Sequence, residues 1–364
     1  MPPSSKSRRA LALSTLAIHG SVEGGDDAPP AATPIYQAVG LAQNAGIVER
    51  RLAAMEGAES ALVTASGTGA TALALLSLLR PGDHLLASAW IYGSVHKLLT
   101  QEFDRVGITV TLVDPLESRG WRKRLRKEPR AIFVESPVNP TCRVLDLRPV
   151  SLLTKELGLA LVVDSTFAGP INFRPIEHGA DVVIQSTTEL LNGHHDAAGG
   201  VILGSAPVID EARDKMALWG QIPDPFACWL LERGLKTLAV RVARQNESAM
   251  RIAQWAAERK EIKRVHYPGL ASHEDHAIAK HHLDGYGPML GIELAGGGRG
   301  ADRFVRRLSL WTNAAGVGGV ESVVSEPRFT THVDAKGLPD GMVRLATGLE
   351  ETDDLIADLE QALR

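Results

Sequence analysis

From "GIVERRLAAMEG" (46–57) onward, hydrophobic residues follow two alternating periods. Segments such as "TGATALALLSLL", "SVHKLLTQEFDRVG" and "LTKELG" carry apolar residues three and four apart and read as helices. Between them lie short runs that are apolar at almost every position: "SALVTA", "HLLASA", "ITVTLVD", "RAIFVES", "LALVVDS", "ADVVIQS" and "AGGVILG". A strand apolar on both sides must be covered on both faces, so the alternation predicts an α/β core with a parallel sheet between helices. After about residue 206 the pattern shifts to long helical stretches over 225–260. Scattered strands in "KRVHYP", "MLGIEL" and "MVRLATG" follow, then a last helix, "TDDLIADLEQALR". Thr352 is placed to cap that helix, with Asp353 and Asp354 at its positive end. The expected organisation is an extended arm over 1–45, a large α/β domain over 46–235 and a smaller C-terminal α+β domain over 236–364. The arm is rich in Pro, Ala and Gly without a sustained period, a type of segment that often lies on a neighbouring subunit.

Composition narrows the class. At 364 residues, 44% hydrophobic and 23% charged, the chain is long enough for two domains with a large shared core. A formal net charge of −4 gives no electrostatic footprint for nucleic acid. The basic stretch "WRKRLRKEPR" (121–130) lacks aromatic interleaving and a second stripe, and it reads as a solvated helix face. No apolar run approaches the roughly 20 residues that cross a bilayer, so no membrane partner is expected. The opening "MPPSSKSRRA" lacks the apolar core of a secretion signal, and the expected location is cytoplasmic. Cys142 and Cys228 are too few and too far apart for a disulfide framework or a CxxC site, and they read as packing residues. His194, His195 and Asp196 are adjacent and point apart, so no metal site is expected there.

Four stretches fall at the ends of expected strands, where an open α/β sheet places its ligand: "ASGTGA", "ESPVNPT", "VVDSTF" and "QSTTELLNGHHD". Ser66, Gly67 and Thr68 open a helix whose free N–H groups can hold a phosphate dianion; the alternative is a tight turn. Tyr92 starts a helix after a strand and can stack on a flat heterocycle; the alternative is a core aromatic. Asp164 ends a very apolar strand, where a carboxylate is costly unless paired with a cation or used as a helix cap. Asn139 precedes a proline and otherwise forms a turn, while Ser186 and Thr188 otherwise satisfy local backbone. Arg344 ends the strand "MVRLATG" and can grip a carboxylate with two prongs, or form a surface salt bridge.

In order and spacing these stretches, with "IYG", "YPGL", "GGVES" and "MVRLATGLE", resemble the Cys/Met-metabolism family of pyridoxal-phosphate enzymes. Cystathionine γ-synthase, cystathionine γ-lyase, cystathionine β-lyase and methionine γ-lyase belong to it. The resemblance runs from "TLAIHG" to the last helix. It implies the fold type I architecture: a large, mostly parallel sheet domain plus a smaller C-terminal α+β domain. It also implies carbon–sulfur lyase or γ-replacement (transsulfuration) chemistry on an amino-acid-like substrate. By the same resemblance, Ser66, Gly67, Thr68, Tyr92, Asn139, Asp164, Thr166, Ser186 and Thr188 would hold pyridoxal phosphate. Tyr92 would stack on its ring and take part in catalysis, Asp164 would meet the pyridinium N–H, and Arg344 would grip the substrate carboxylate. A homodimer or homotetramer with sites shared across the interface is implied as well.

The sequence departs from that pattern at two places. The family's lysine, which carries the cofactor as an imine and moves the substrate proton, should stand where this chain has Glu189. A carboxylate cannot form the imine, so any bound pyridoxal phosphate would be non-covalent or absent. Lys236 in "RGLKTL" matches a lysine that the family carries elsewhere. The second departure precedes Val48: "AQNAG" replaces a Tyr-x-Arg element and an Asn-Pro-Thr turn that reach a neighbouring subunit's phosphate. Gly69 also breaks the small-residue run after Gly67, and Gly316 stands where a serine is usual. Three readings follow: an enzyme of altered chemistry with Glu189 as acid or base, its pKa raised by desolvation and nearby Asp164; a catalytically silent subunit paired with an active relative; and a conventional lyase or transferase using a lysine from elsewhere.

Overall fold

A computed structural model describes residues 12–19, 33–37, 43–327 and 338–364. Seven strands form the large sheet: β1 Ser60–Thr64, β2 His84–Ser88, β3 Thr109–Val113, β4 Pro129–Glu135, β5 Ala160–Asp164, β6 Val182–Ser186 and β7 Gly200–Gly204. They lie in the order β1-β7-β6-β5-β4-β2-β3. All seven apolar runs become these strands. The pairs β2–β3, β2–β4, β4–β5 and β5–β6 are parallel, whereas β7 runs antiparallel to both β1 and β6. The short connection after Ser186 returns the chain to lie beside the strand it has just left, which forces β7 to reverse.

The sheet is dry on both faces, and alternate residues of one strand enter different cores. In β5, Leu161 and Val163 pack with Val48, Leu52, Leu147 and Leu231 on one side, while Val162 packs with Leu73, Leu75 and Ile209 on the other. The helices Gln43–Glu56, Leu147–Leu157 and Pro225–Leu235 supply the first cover, and Gly67–Leu78 and Ala206–Trp219 the second. Burying a single Leu or Val contributes about 1.5–3 kcal/mol, so both cores contribute heavily to stability.

The second sheet contains β8 Ile262–His266, β9 Met289–Leu294, β10 Thr312–Asn313, β11 Val323–Ser325 and β12 Met342–Ala346, in the order β10-β11-β12-β9-β8. The helices Leu238–Ala257, Gly297–Arg307 and Thr352–Leu363 pack on it through Ile252, Phe304, Leu355 and Leu359. A small apolar seam of Cys142, Met289, Val317, Val323 and Ala346, with Phe167 packed against it, joins this unit to the first. The expected division at 235/236 falls where Lys236 and Thr237 separate two helices.

Several expectations change. Most of the expected arm lies outside the described residues, but Leu13–His19 is helical and buries Ala17 in the first core, because Leu13, Leu16 and Ala17 share one side. The helix expected from residue 46 begins at Gln43, where Asn44 accepts from Tyr36 N at 2.8 Å and donates to Pro34 O at 3.0 Å. Thr352 is not a cap: Glu351 occupies the cap position, and the Thr352 hydroxyl meets Ser248 Oγ at 2.9 Å in the interior. The basic stretch is not an α-helix face. Residues Pro115–Arg124 form 3-10 turns, with Trp121 buried and its indole donating to Asp114 O, while Arg122, Lys123 and Arg124 face solvent. Both cysteines are buried and unpaired. Among the described residues no helix is long and apolar enough to cross a membrane.

Candidate active site

One cavity of about 410 Å³ opens at the carboxyl ends of β1, β2, β4, β5 and β6, under a loop of the second unit. Ser66, Gly67, Thr68, Tyr92, Asn139, Asp164, Thr166, Ser186, Thr188, Glu189 and Arg344 all line it. The residues that the resemblance assigned to cofactor and substrate, and Glu189, therefore meet in one place. Sequence reasoning missed Glu135, the hydrophobic wall of Val95 and Phe167, and the backbone of Ala315, Gly316 and Val317.

The anion end is built by close packing. Ser66 caps the helix Gly67–Leu78 by accepting from Gly69 N at 3.1 Å, and among the described residues the N–H groups of Gly67 and Thr68 have no acceptor. Two free N–H groups at a helix start favour an anion. A side chain at Gly67 would press on Ser186 Cβ at 3.0 Å, and one at Gly200 would meet Ser66 O at 2.5 Å. Glycine at both places lets the helix start reach the sheet edge. Gly69, the first odd small residue, has its missing side chain replaced by the amide of Gln221, which also accepts from Ser66 Oγ at 3.4 Å. His195 likewise fills the space beside Gly316 and Gly319, with its ring laid against that loop at the exposed edge of the turn. His194 turns to Asn192 O at 2.8 Å and Asp196 accepts from Asn192 Nδ2 at 2.7 Å, so the three adjacent residues have separate tasks.

Around the ring-sized middle, Asp164 is 8% exposed and its Oδ1 accepts from Thr166 N at 3.0 Å and Thr166 Oγ1 at 2.6 Å. No helix begins there, so the capping alternative fails, and Oδ2 has no partner among the described residues. Thr166 Oγ1 also accepts from Ser186 N at 2.8 Å, which ties β5 to β6 and leaves the Ser186 hydroxyl free. Thr188 is partly spent locally, because its hydroxyl accepts from Gly199 N at 3.2 Å. Tyr92 occupies the cap position of the helix Gly93–Lys97 and is 44% exposed, so it is not a core aromatic. Glu135 fixes two of these walls at once, accepting from Tyr92 N at 2.8 Å and Asn139 N at 3.4 Å. Burial pushes Glu135 well above the ordinary carboxylate range, and neighbouring Asp164 adds to the push. Asp164 is itself raised by burial, with the Thr166 bonds opposing.

At the opposite end, Arg344 projects from the middle of the second sheet and is buried rather than salt-bridged at the surface. Its guanidinium donates to Asn139 Oδ1 at 3.3 Å, to Gly316 O at 3.3 Å and to Ala315 O. Glu189 follows β6 in a turn that buried Arg241 braces through Leu190 O at 3.0 Å and Leu191 O at 3.3 Å. One Glu189 oxygen, Oε2, accepts from Val317 N at 2.8 Å; the other has no hydrogen-bond partner among the described residues. Burial raises the Glu189 pKa, opposed by the Val317 N–H and the Arg344 charge. Asp164, expected to add to that rise, does not; its charge raises Glu135. No lysine lines the cavity among the described residues, and Lys236 pairs at 3.5 Å with Glu232, outside the lining.

The unpartnered Asp164 oxygen, the two open N–H groups, the free Ser186 hydroxyl and the exposed Tyr92 ring fit a phosphorylated pyridine. The comparisons agree with that fit. The family model for Cys/Met metabolism PLP-dependent enzymes matches residues 31–364. A cystathionine beta-lyase of Coxiella burnetii is 38% identical over 325 residues, covering 86% of this chain and 84% of that protein. An L-methionine gamma-lyase of Pseudomonas putida is 35% identical, covering 87% and 82%. The crystal structure of MetB from Corynebacterium glutamicum superposes with a TM-score of 0.92 at 34% identity, covering 97% of this chain and 98% of that one. The chain belongs to the Cys/Met metabolism family of PLP-dependent enzymes, with the fold type I architecture of that family.

Proposed function

We propose that the protein holds pyridoxal phosphate without a covalent tether and acts on an amino-acid-like substrate, with Glu189 as the acid–base group. The observation that carries this reading is the placement of Glu189: a partly buried carboxylate, one oxygen fixed and one free, on the wall of a cavity whose other polar groups fit the family's cofactor. Gly67 and Thr68 N–H with the Ser186 hydroxyl would hold the phosphate, Tyr92 would cover the ring and Asp164 Oδ2 would take the ring N–H. When bound, the cofactor supplies an electron-poor ring that stabilises charge developing at the substrate's α-carbon. Arg344 would orient the substrate carboxylate, and Glu189 would take the α-proton on its free oxygen. Its raised pKa brings its basicity closer to that task than an exposed glutamate's.

The reading also takes the protein as a homodimer or homotetramer. An exposed apolar patch of Leu218, Trp219, Ile222 and Phe226 supports this, since its loop touches the anion end where Ala65 N donates to Gln221 O at 3.1 Å. Deuterium exchange tests the catalytic part. With pyridoxal phosphate and an amino acid in D2O, wild-type protein should speed α-proton exchange above the protein-free rate, and Glu189→Gln should lose about 10²–10⁴-fold of that acceleration. Wild-type exchange no faster than the protein-free rate refutes the proposal. The silent-subunit reading has one observation in its favour: Arg344 already spends its donors on Asn139 and two carbonyls, with the Glu189 charge nearby. Stable copurification with a lysine-bearing relative, without such exchange, would select it.

A further inference from the structure

The charges facing the cavity are arranged for a ligand with two cationic ends and one anionic end. Four carboxylate or guanidinium side chains line it: Glu135, Asp164, Glu189 and Arg344. Glu135 is spent, because both its oxygens accept backbone N–H groups. Arg344 is held by Asn139 and the 315–316 carbonyls and is reserved for the substrate carboxylate proposed above. What remains is one free carboxylate oxygen on Asp164, at the end of β5, and one on Glu189, after the end of β6, with the open helix start of Gly67 and Thr68 as the anion end.

We infer that the form of the cofactor this cavity selects is the amine, pyridoxamine phosphate, whose protonated aminomethyl group pairs with Glu189 while its ring N–H pairs with Asp164. This rests on the cofactor site proposed above and concerns its resting occupant alone, since α-proton exchange on an amino acid calls for the aldehyde form. The ring nitrogen and the aminomethyl carbon are para to one another, so the ligand carries two N–H cations at opposite edges and a phosphate on a third arm. That matches two separated carboxylates and one helix start. The aldehyde form instead presents a carbonyl oxygen to Glu189. Oxygen facing a carboxylate is repelled, and no lysine among the described residues lines the cavity to convert the aldehyde into a cation. An ammonium near the free Glu189 oxygen also opposes the burial that disfavours its charge.

Binding distinguishes the forms without any turnover. The full chain, freed of bound small molecules, is titrated calorimetrically with pyridoxamine phosphate, pyridoxal phosphate and 4-deoxypyridoxine phosphate, which carries a neutral methyl at the same carbon. One charge-assisted hydrogen bond in a partly dry site predicts that wild type holds the amine about 10- to 100-fold tighter than the methyl compound, with the aldehyde no tighter than the methyl compound. Glu189→Gln, close in shape, should bring the three affinities within a few-fold and leave the thermal melt of the free protein near wild type or above it. Equal or tighter binding of the aldehyde by wild type, or an unchanged amine preference in Glu189→Gln, overturns this inference and leaves the cofactor site standing. Failure of wild type to bind any of the three overturns both.

Discussion

Gly200→Ala perturbs the anion end without removing any of its polar groups. Gly200 opens β7 and pairs with Thr64 of β1 on one side and Ser186 of β6 on the other. A Cβ there would lie 2.5 Å from Ser66 O and 2.8 Å from Gly67 Cα and from the Ser66 carbonyl carbon. All three are backbone atoms at the start of the helix Gly67–Leu78, so no rotamer change relieves the contact. The helix start must withdraw by roughly half an ångström to an ångström, and overpacking of that kind costs about 1–3 kcal/mol. The atoms displaced carry the open N–H groups of Gly67 and Thr68. Losing one charge-assisted hydrogen bond to a phosphate is worth about 1.5–3 kcal/mol, so affinity for a pyridoxal-type phosphate should fall about 10- to 100-fold. Calorimetric titration beside a thermal melt measures both terms, with Gly120→Ala as the control, since a Cβ there meets nothing within 4 Å. Unchanged affinity in a Gly200→Ala protein that still shows the stability loss would refute the placement of the phosphate at this helix start.

Three further outcomes follow from the packing and the charges. Glu56 is buried, with Oε1 unpartnered and its pKa pushed up to about 8, so it is neutral in the folded protein at pH 7 while the unfolded chain ionises above about 4.5. Its folded pKa is the higher one, so stability is lost as pH rises across that window. Glu56→Gln should flatten the loss by up to about 1.4 kcal/mol per pH unit in urea denaturation series between pH 5 and 8. Thr166→Val leaves Ser186 N without its acceptor and Asp164 Oδ1 without its shortest donor. It should cost about 1–3 kcal/mol in urea denaturation and weaken cofactor binding as well. Gly300→Ala, inside the helix Gly297–Arg307 with open space around it, should stabilise by about 0.5–1 kcal/mol in the same assay.

The strands were readable because a sheet covered on both faces makes every position apolar, and the site was readable because its residues sit just past those strands. What the sequence hid was carried by backbone or by distance. Val317 reaches Glu189 through its N–H, a group every residue but proline has, so its letter carries no sign of the role. Glu135 lay inside a stretch already recognised, yet its task of holding Tyr92 and Asn139 through their N–H groups appears only in three dimensions. The odd glycines at 69 and 316 looked like simple losses, and the fold explains them by Gln221 and His195, each more than 100 residues away in the chain. The reversal of β7 was hidden too, since its run "AGGVILG" is as apolar as its parallel neighbours. Thr352 looked like a cap because threonine before two aspartates is a helix-start signal, but burial against Ser248 claimed its hydroxyl.

The account turns on Glu189 standing where a covalent anchor for the cofactor would stand. Glu189→Lys tests this most directly. Incubated with pyridoxal phosphate, the variant should develop a visible absorbance band and, after borohydride reduction, a stable mass increase of one cofactor per chain on the peptide containing residue 189, while wild type treated alike carries none there. A variant that folds, binds the cofactor and yet shows no adduct at residue 189 would contradict the claim.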